Sequence, residues 1–351
     1  MHMMAWGLGI VLAAVLLGVT YQMLGTLRDE KAYPPPGRLV DLGTHRLHLV
    51  ESGHGSGPTV VLEAGLMSTV LSWTALQRKL ARSSRVVSYD RAGLGWSDIG
   101  PMPRTAERIA GELHELLKRA AIAPPYVLVG HSFGGLTMPV FAALFPKDVA
   151  GMVLVDPVAP SEWNPPSAHA QKLTRIGAKV CLRAALLARV GAIRFVAFLI
   201  TSGAKSVASK MVRLISREAP NEAGSVSSPW FWALPDEEKA MARVFWPQRK
   251  FALTIASQLE NLPASAGMAA SLSNLCEKPV AILSAGTASE NRRKAHAETA
   301  KRLPDGTHIV GGRSGHWIMQ DEPELVIRAI EEVLDRYKTS RIAYAREDQS
   351  S

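Results

Sequence analysis

The sequence predicts an α/β protein whose sheet is mostly parallel and covered by helices on both faces. Short apolar, β-branched segments alternate with helical patterns of 10 to 17 residues through most of the chain. One strand, Tyr126 to Val129, runs directly into Gly130-His131-Ser132-Phe133-Gly134 and then into an apolar helical run, Leu136 to Phe145. An apolar fraction of 47% supplies ample material for a core between the layers.

The elements follow in order. Arg38 to Asp41 and His45 to Glu51 read as strands turning at Gly43, and Pro58 opens a third, Thr59 to Glu63. Ser68 to Ala81 has a helical pattern, Arg85 to Tyr89 is a fourth strand, and Thr105 to Ala121 is an amphipathic helix with Ile109, Leu113, Leu116 and Leu117 on one face. The Tyr126 strand and its helix come next, then Ala150 to Val155. After a long helical insertion come a strand at Pro279 to Ala285, a helix at Asn291 to Leu303, a strand at Thr307 to Val310 and a helix at Pro323 to Tyr337. Arg341 to Ser351 is polar and expected to fray. The expected division is 1–32 an N-terminal anchor, 33–158 the first part of the core, 159–277 a helical insertion, 278–340 the second part and 341–351 a polar tail.

Ala5 to Leu27 is 23 residues without a formal charge. As a helix at ~1.5 Å per residue it reaches ~34 Å, enough to cross the hydrocarbon core of a bilayer. A cleaved signal peptide fits less well, because no Lys or Arg precedes the run and no small-x-small cleavage site follows it. A single-pass anchor is therefore expected, with its orientation left open by balanced flanking charges. Tyr33-Pro-Pro-Pro-Gly37 reads as a stiff linker.

The net charge of +9 is concentrated: Trp163 to Arg217 holds ten Lys or Arg and no Asp or Glu, leaving the rest at −1. Lys172, Arg175, Lys179 and Arg183 share one helical face, so a basic lid resting on anionic headgroups and an ordinary solvated face are both open. No nucleic-acid-binding motif is present. Trp230-Phe231-Trp232 and Phe245-Trp246 are candidates for lining a pocket or for packing the helical insertion. Cys181 and Cys276 make no metal spacing and read as free, buried thiols, with a single bridge between them open for an extracytoplasmic location.

The chain resembles the α/β-hydrolase superfamily, specifically its serine-nucleophile, esterase- and lipase-like members. Carrying the likeness are Glu63-Ala-Gly-Leu66, Asp90-Arg-Ala-Gly-Leu-Gly-Trp-Ser97, the GHSFGG turn and Ser314-Gly-His-Trp317, in that order. The resemblance implies the α/β-hydrolase fold: an eight-stranded sheet with a helical lid after the sixth strand, here behind a transmembrane helix.

Acyl transfer by serine needs a base to take its proton and an acid to orient the base. Ser132, on a tight strand-to-helix turn, is the nucleophile candidate. His316 occupies the position where the family keeps its base, and His131 is expected to project away from Ser132. The position where many members carry their acid holds Ser289, which bears no charge. Asp156, on a rigid strand end, is preferred as the acid, with Glu290 as the alternative. The resemblance places the oxyanion-holding amides at Leu66 and Phe133. Asp90, Arg91, Gly93 and Gly95 read as the turn beneath that loop. No metal or organic cofactor is implied. The expected activity is hydrolysis of carboxylic esters or thioesters, lipophilic ones favoured. An acyltransferase with the same residues and a non-catalytic membrane-bound binding protein are the alternatives.

Overall fold

The structure, a computed structural model, describes residues 2–201, 236–271 and 278–350. Eight strands form one sheet in the order β1-β2-β4-β3-β5-β6-β7-β8. They are β1 (Arg38–Asp41), β2 (Arg46–Ser52), β3 (Thr59–Glu63), β4 (Val86–Tyr89), β5 (Tyr126–His131), β6 (Val149–Val155), β7 (Val280–Ser284) and β8 (Gly306–Val310). Only β1 with β2 and β2 with β4 pair antiparallel; the rest are parallel.

Because strand side chains alternate, β5 feeds both faces. Tyr126 and Leu128 pack with α3 (Ala106–Arg119) and α4 (Gly134–Leu144) on one side. Val127 and Val129 pack with α2 (Thr74–Leu80) and the C-terminal helix on the other. β3, β5 and β6 are buried at every position, as expected of central parallel strands covered on both faces. Each fully buried Leu or Val there contributes roughly 1.5–3 kcal/mol of transfer free energy.

The helix expected over Ser68 to Ala81 is divided into a 3₁₀ turn at Val70–Trp73 and α2. The cause is local: Thr69 Oγ1 accepts from the Leu71 amide, and the Val70 amide donates to Asp90 Oδ1 at 2.9 Å. These bonds compete with helical pairing. At the N-terminus α1 is helical over His2–Ala32, and Met4–Ala32 is long and apolar enough to cross a membrane, by length and composition.

Between β6 and β7 the described elements are all helical: α5 (Pro160–Trp163), α6 (Ala168–Arg189), α7 (Ala192–Thr201), α8 (Asp236–Phe245), α9 (Arg249–Glu260) and α10 (Leu262–Ser271). This layer is tied to the core by named bonds. Lys250 Nζ donates to the carbonyls of Gly95 and Ser97 at 3.0 and 2.7 Å. The amides of Arg104 and Ala106 donate to Ser257 Oγ and Ser265 Oγ at 2.9 and 3.0 Å. Beyond β7 lie α11 (Glu290–Arg302), α12 (Ile318–Asp321) and α13 (Pro323–Ser350). The expected frayed tail is helical instead, since α13 continues to Ser350 with no Gly or Pro to stop it. Cys181 is a free thiol, pushed up to about 11 by burial; Cys276 and Trp230 to Trp232 lie outside the described residues.

Candidate active site

Ser132 stands where β5 ends and α4 begins. Its backbone is left-handed, with φ +53°, unusual for a residue bearing a Cβ. Hydrogen bonds on both sides fix this turn: the Ser132 amide donates to the Val155 carbonyl at 3.1 Å, while its carbonyl accepts from Gly135 and Val158 at 2.9 and 3.0 Å. The flanking glycines are demanded by closeness. A Cβ on Gly130 would lie 2.4 Å from the Gly134 carbonyl oxygen, and one on Gly134 would lie 2.8 Å from that of Glu63.

Asp156 follows β6, the strand beside β5, and is left-handed too, with φ +40°. Its amide donates to Leu283 at 2.8 Å, and its Oδ1 accepts from the Ala285 amide at 3.0 Å. The remaining oxygen, Oδ2, accepts from His316 Nδ1 at 2.6 Å. Burial alone would push this carboxyl up, but the bonds from His316 and Ala285 outweigh it and hold it below the usual carboxylate range. An ionised acceptor at Nδ1 fixes the proton there and leaves Nε2 as the basic atom. Glu290 is not brought to the site. It is exposed at the first turn of α11 and pairs with Lys294 at 2.6 Å. Ser289 serves the helix instead, its Oγ capping α11 by accepting from the Arg292 amide at 3.3 Å.

His131 precedes Ser132, and its ring lies 4.6 Å from the His316 ring and 4.5 Å from that of Trp317. Instead of simply projecting away, it holds the His316 loop: Nε2 donates to the His316 carbonyl at 2.8 Å. Burial, and then the neighbouring His316, keep its imidazole neutral, well below the ordinary 6.5. A second clamp was not legible in the sequence. Glu322 accepts the amides of Gly312, Arg313 and Ser314 at 3.1, 2.6 and 2.8 Å, and Asp321 accepts that of Gly315 at 2.8 Å. Those bonds set the course of the chain into His316.

Gly65 faces Ser132, where a Cβ on it would lie 3.3 Å from Ser132 Cβ. Arg91 holds this loop from behind. Its Nη1 reaches Glu63 and the Ala64 carbonyl at 2.8 and 2.5 Å, and Nη2 reaches the carbonyls of Gly65 and Leu66 at 2.5 and 3.1 Å. A trans peptide points its N–H opposite its C=O, so pinning the Gly65 oxygen aims the Leu66 amide to the other side. Glu63 also accepts from Tyr89 Oη and is fully buried, balancing the Arg91 charge. The lid approaches this loop with Phe245, Phe251 and Ile255, which pack with Leu71, Leu94, Leu66 and Trp317. Phe245 also meets Trp96 edge-on at 4.8 Å, so one half of the Phe245-Trp246 pair is lid packing.

A buried acid bonded to a histidine lies at the end of β6, and a hydroxyl stands on the strained turn at the end of β5, the strand beside it. The chain belongs to the alpha/beta hydrolase fold family, whose model matches residues 58–323. Solved structures with the same fold include a malate-bound thermophilic esterase from Thermogutta terrifontis, 22% identical over 86% of this chain and 98% of that one, TM-score 0.58. An enol-lactonase from Burkholderia xenovorans LB400 is 18% identical over 85% of this chain and 100% of that one, TM-score 0.59. By sequence, an AB hydrolase superfamily protein from Gibberella zeae is 38% identical over 103 residues, 28% of this chain and 32% of that protein. YqjL from Bacillus subtilis is 39% identical over 102 residues, 29% of this chain and 40% of that protein. The chain therefore matches less than half the length of these curated relatives.

Proposed function

We propose that this protein is a membrane-anchored serine hydrolase of carboxylic esters or thioesters, acting through an acyl-enzyme on Ser132. The observation that carries the reading is the 2.6 Å bond from His316 Nδ1 to the buried Asp156 carboxylate, on the strand beside the one that presents Ser132. In the reaction, Ser132 Oγ adds to the substrate carbonyl carbon and His316 Nε2 takes its proton. The amides of Leu66 and Phe133 hold the oxyanion, each worth roughly 10²–10³ in rate. Collapse breaks the bond to the leaving alcohol or thiol, which takes the proton from His316. Water, deprotonated by His316, then adds to the acyl carbon and returns the free acid and Ser132. Asp156 remains ionised and steadies the imidazolium. The apolar lid cluster beside Leu66 favours a lipophilic acyl chain.

A fluorophosphonate should label the wild type and not Ser132→Ala; absence of labelling in the folded wild type overturns the reading. A chromogenic ester series read alongside gives the acyl length, and added alcohols that divert the acyl group to new esters would mark an acyltransferase instead.

A further inference from the structure

We propose that helices α6 and α7 form a hairpin lying in the headgroup–acyl boundary of the bilayer that α1 enters. The proposal rests on the anchor reading above and deepens it. Along α6 two stripes run at helical spacing. Ala178, Cys181, Ala185 and Ala188 turn inward, three of them buried and Cys181 packed toward the lid cluster. Arg175, Lys179, Leu182 and Leu186 turn outward and are exposed. The outward stripe is divided along its length, basic in the N-terminal half and apolar in the C-terminal half. Leu182 and Leu186 are 41% and 64% exposed, and on α7 Phe195 and Phe198 are 45% and 56% exposed. α6 carries five basic residues and no acidic one. This is the composition of an interfacial helix on an anionic surface.

The contact with α1 sets the depth. A Cβ on Gly18 would lie 2.3 Å from the Val190 carbonyl oxygen, and one on Gly191 would lie 2.8 Å from the Tyr21 ring. Arg194 reaches the other end of this contact, donating to Asp29 at 2.5 Å and to Gln22 and Thr26 at 3.3 Å. From Gly18 to Asp29 is about 16 Å along a helix. The α6–α7 turn thus meets α1 inside its uncharged run, at Gly18 and Tyr21, and the contact continues past Gln22 and Thr26 to Asp29. Polar and apolar side chains mix there, as the interface requires. Arg189, exposed near the turn, has a stem long enough to carry its charge back to the headgroups. One face of α6 therefore meets lipid while the other meets the cluster beside Leu66 and Trp317, which gives a bilayer-borne substrate a short apolar approach.

The test uses the full chain with Cys181→Ser and Cys276→Ser, carrying one new cysteine for an NBD fluorophore: Leu186→Cys, Phe195→Cys, Leu12→Cys or Glu331→Cys. Each protein is reconstituted into vesicles of phosphatidylcholine and phosphatidylglycerol containing acyl-chain nitroxide lipid. Labels at 186 and 195 should be quenched at least half as strongly as the label at 12, with the label at 331 unquenched. Quenching at 12 but not at 186 or 195 overturns the hairpin and leaves the anchor standing. A silent label at 12 removes the anchor and the hairpin together. Equal quenching in phosphatidylcholine alone removes the anionic component. If Leu186→Cys fails to reconstitute, Leu182→Cys reads the same stripe.

Discussion

Asp156 gives its two oxygens to different partners, one to the Ala285 amide and one to His316. Asp156→Asn keeps the shape but loses the charge and the fixed tautomer, so kcat should fall on the order of 10³–10⁴. Glu290→Gln should stay within about twofold, because Glu290 is engaged with Lys294 and not with His316. Steady-state kinetics on one chromogenic ester separates the two. The pair also marks what the residue pattern revealed. Ser132 was legible because its turn chemistry is local, written in six consecutive residues. The acid was legible only as a preference for Asp156 over Glu290, because Asp156 and His316 are 160 positions apart and only the sheet joins them.

His131 and His296 supply a pH dependence. Both imidazoles are held below the ordinary 6.5, burial being the chief cause. Below that value the unfolded chain binds protons that the folded chain refuses, so their contribution is full above about pH 6.5 and declines as the pH falls. Asp156 acts in a lower window, being held below 3.8, and its contribution is lost as pH falls through that depressed value. The urea midpoint should therefore drop between pH 7.5 and 5.5, and by less in His131→Gln. An equal drop in the variant would contradict the assignment.

At the level of elements, the lid is fastened to the Asp90–Ser97 turn by α9. Lys250→Met would leave the Gly95 and Ser97 carbonyls without their shared donor, at a cost of about 1–3 kcal/mol. Chemical denaturation measures that loss directly. The loop before His316 is a comparable case: Glu322→Gln weakens the hold on three consecutive amides and should lower kcat about tenfold with KM little changed. Strands and helices of the core were legible because the period of apolar residues is a local property, visible in Val127 to Val129 and in Ile109 to Leu117. A clamp such as Glu322 was not, since a carboxylate bonding backbone amides leaves no mark on sequence periodicity. Ser289 is instructive in the other direction: where the family's acid would stand there is a helix cap, a role that fits a short hydroxyl side chain.

For the whole molecule, α1 both contacts the lid and carries the apolar run. Removing residues 1–32 should shift the protein from the membrane fraction to the supernatant after a carbonate wash, and hydrolysis of soluble short-chain esters should stay within a few-fold. Retention in the pellet would show that α1 is not the sole attachment. The uncharged run was plain in the sequence, but its meeting with Val190, Gly191 and Arg194 depends on how the lid folds back.

Two neighbouring strand ends, at Ser132 and Asp156, hold side-chain-bearing residues in a backbone region that glycine enters freely. Such conformations cost of order 1–3 kcal/mol each. Evolution would find an easy gain in robustness by erasing either side chain, and under the proposed function the gain would be worthless. Ser132→Gly should accordingly melt higher than Ser132→Ala, with neither hydrolysing ester under the proposed function, and that gap measures the durability a side chain at this turn forgoes.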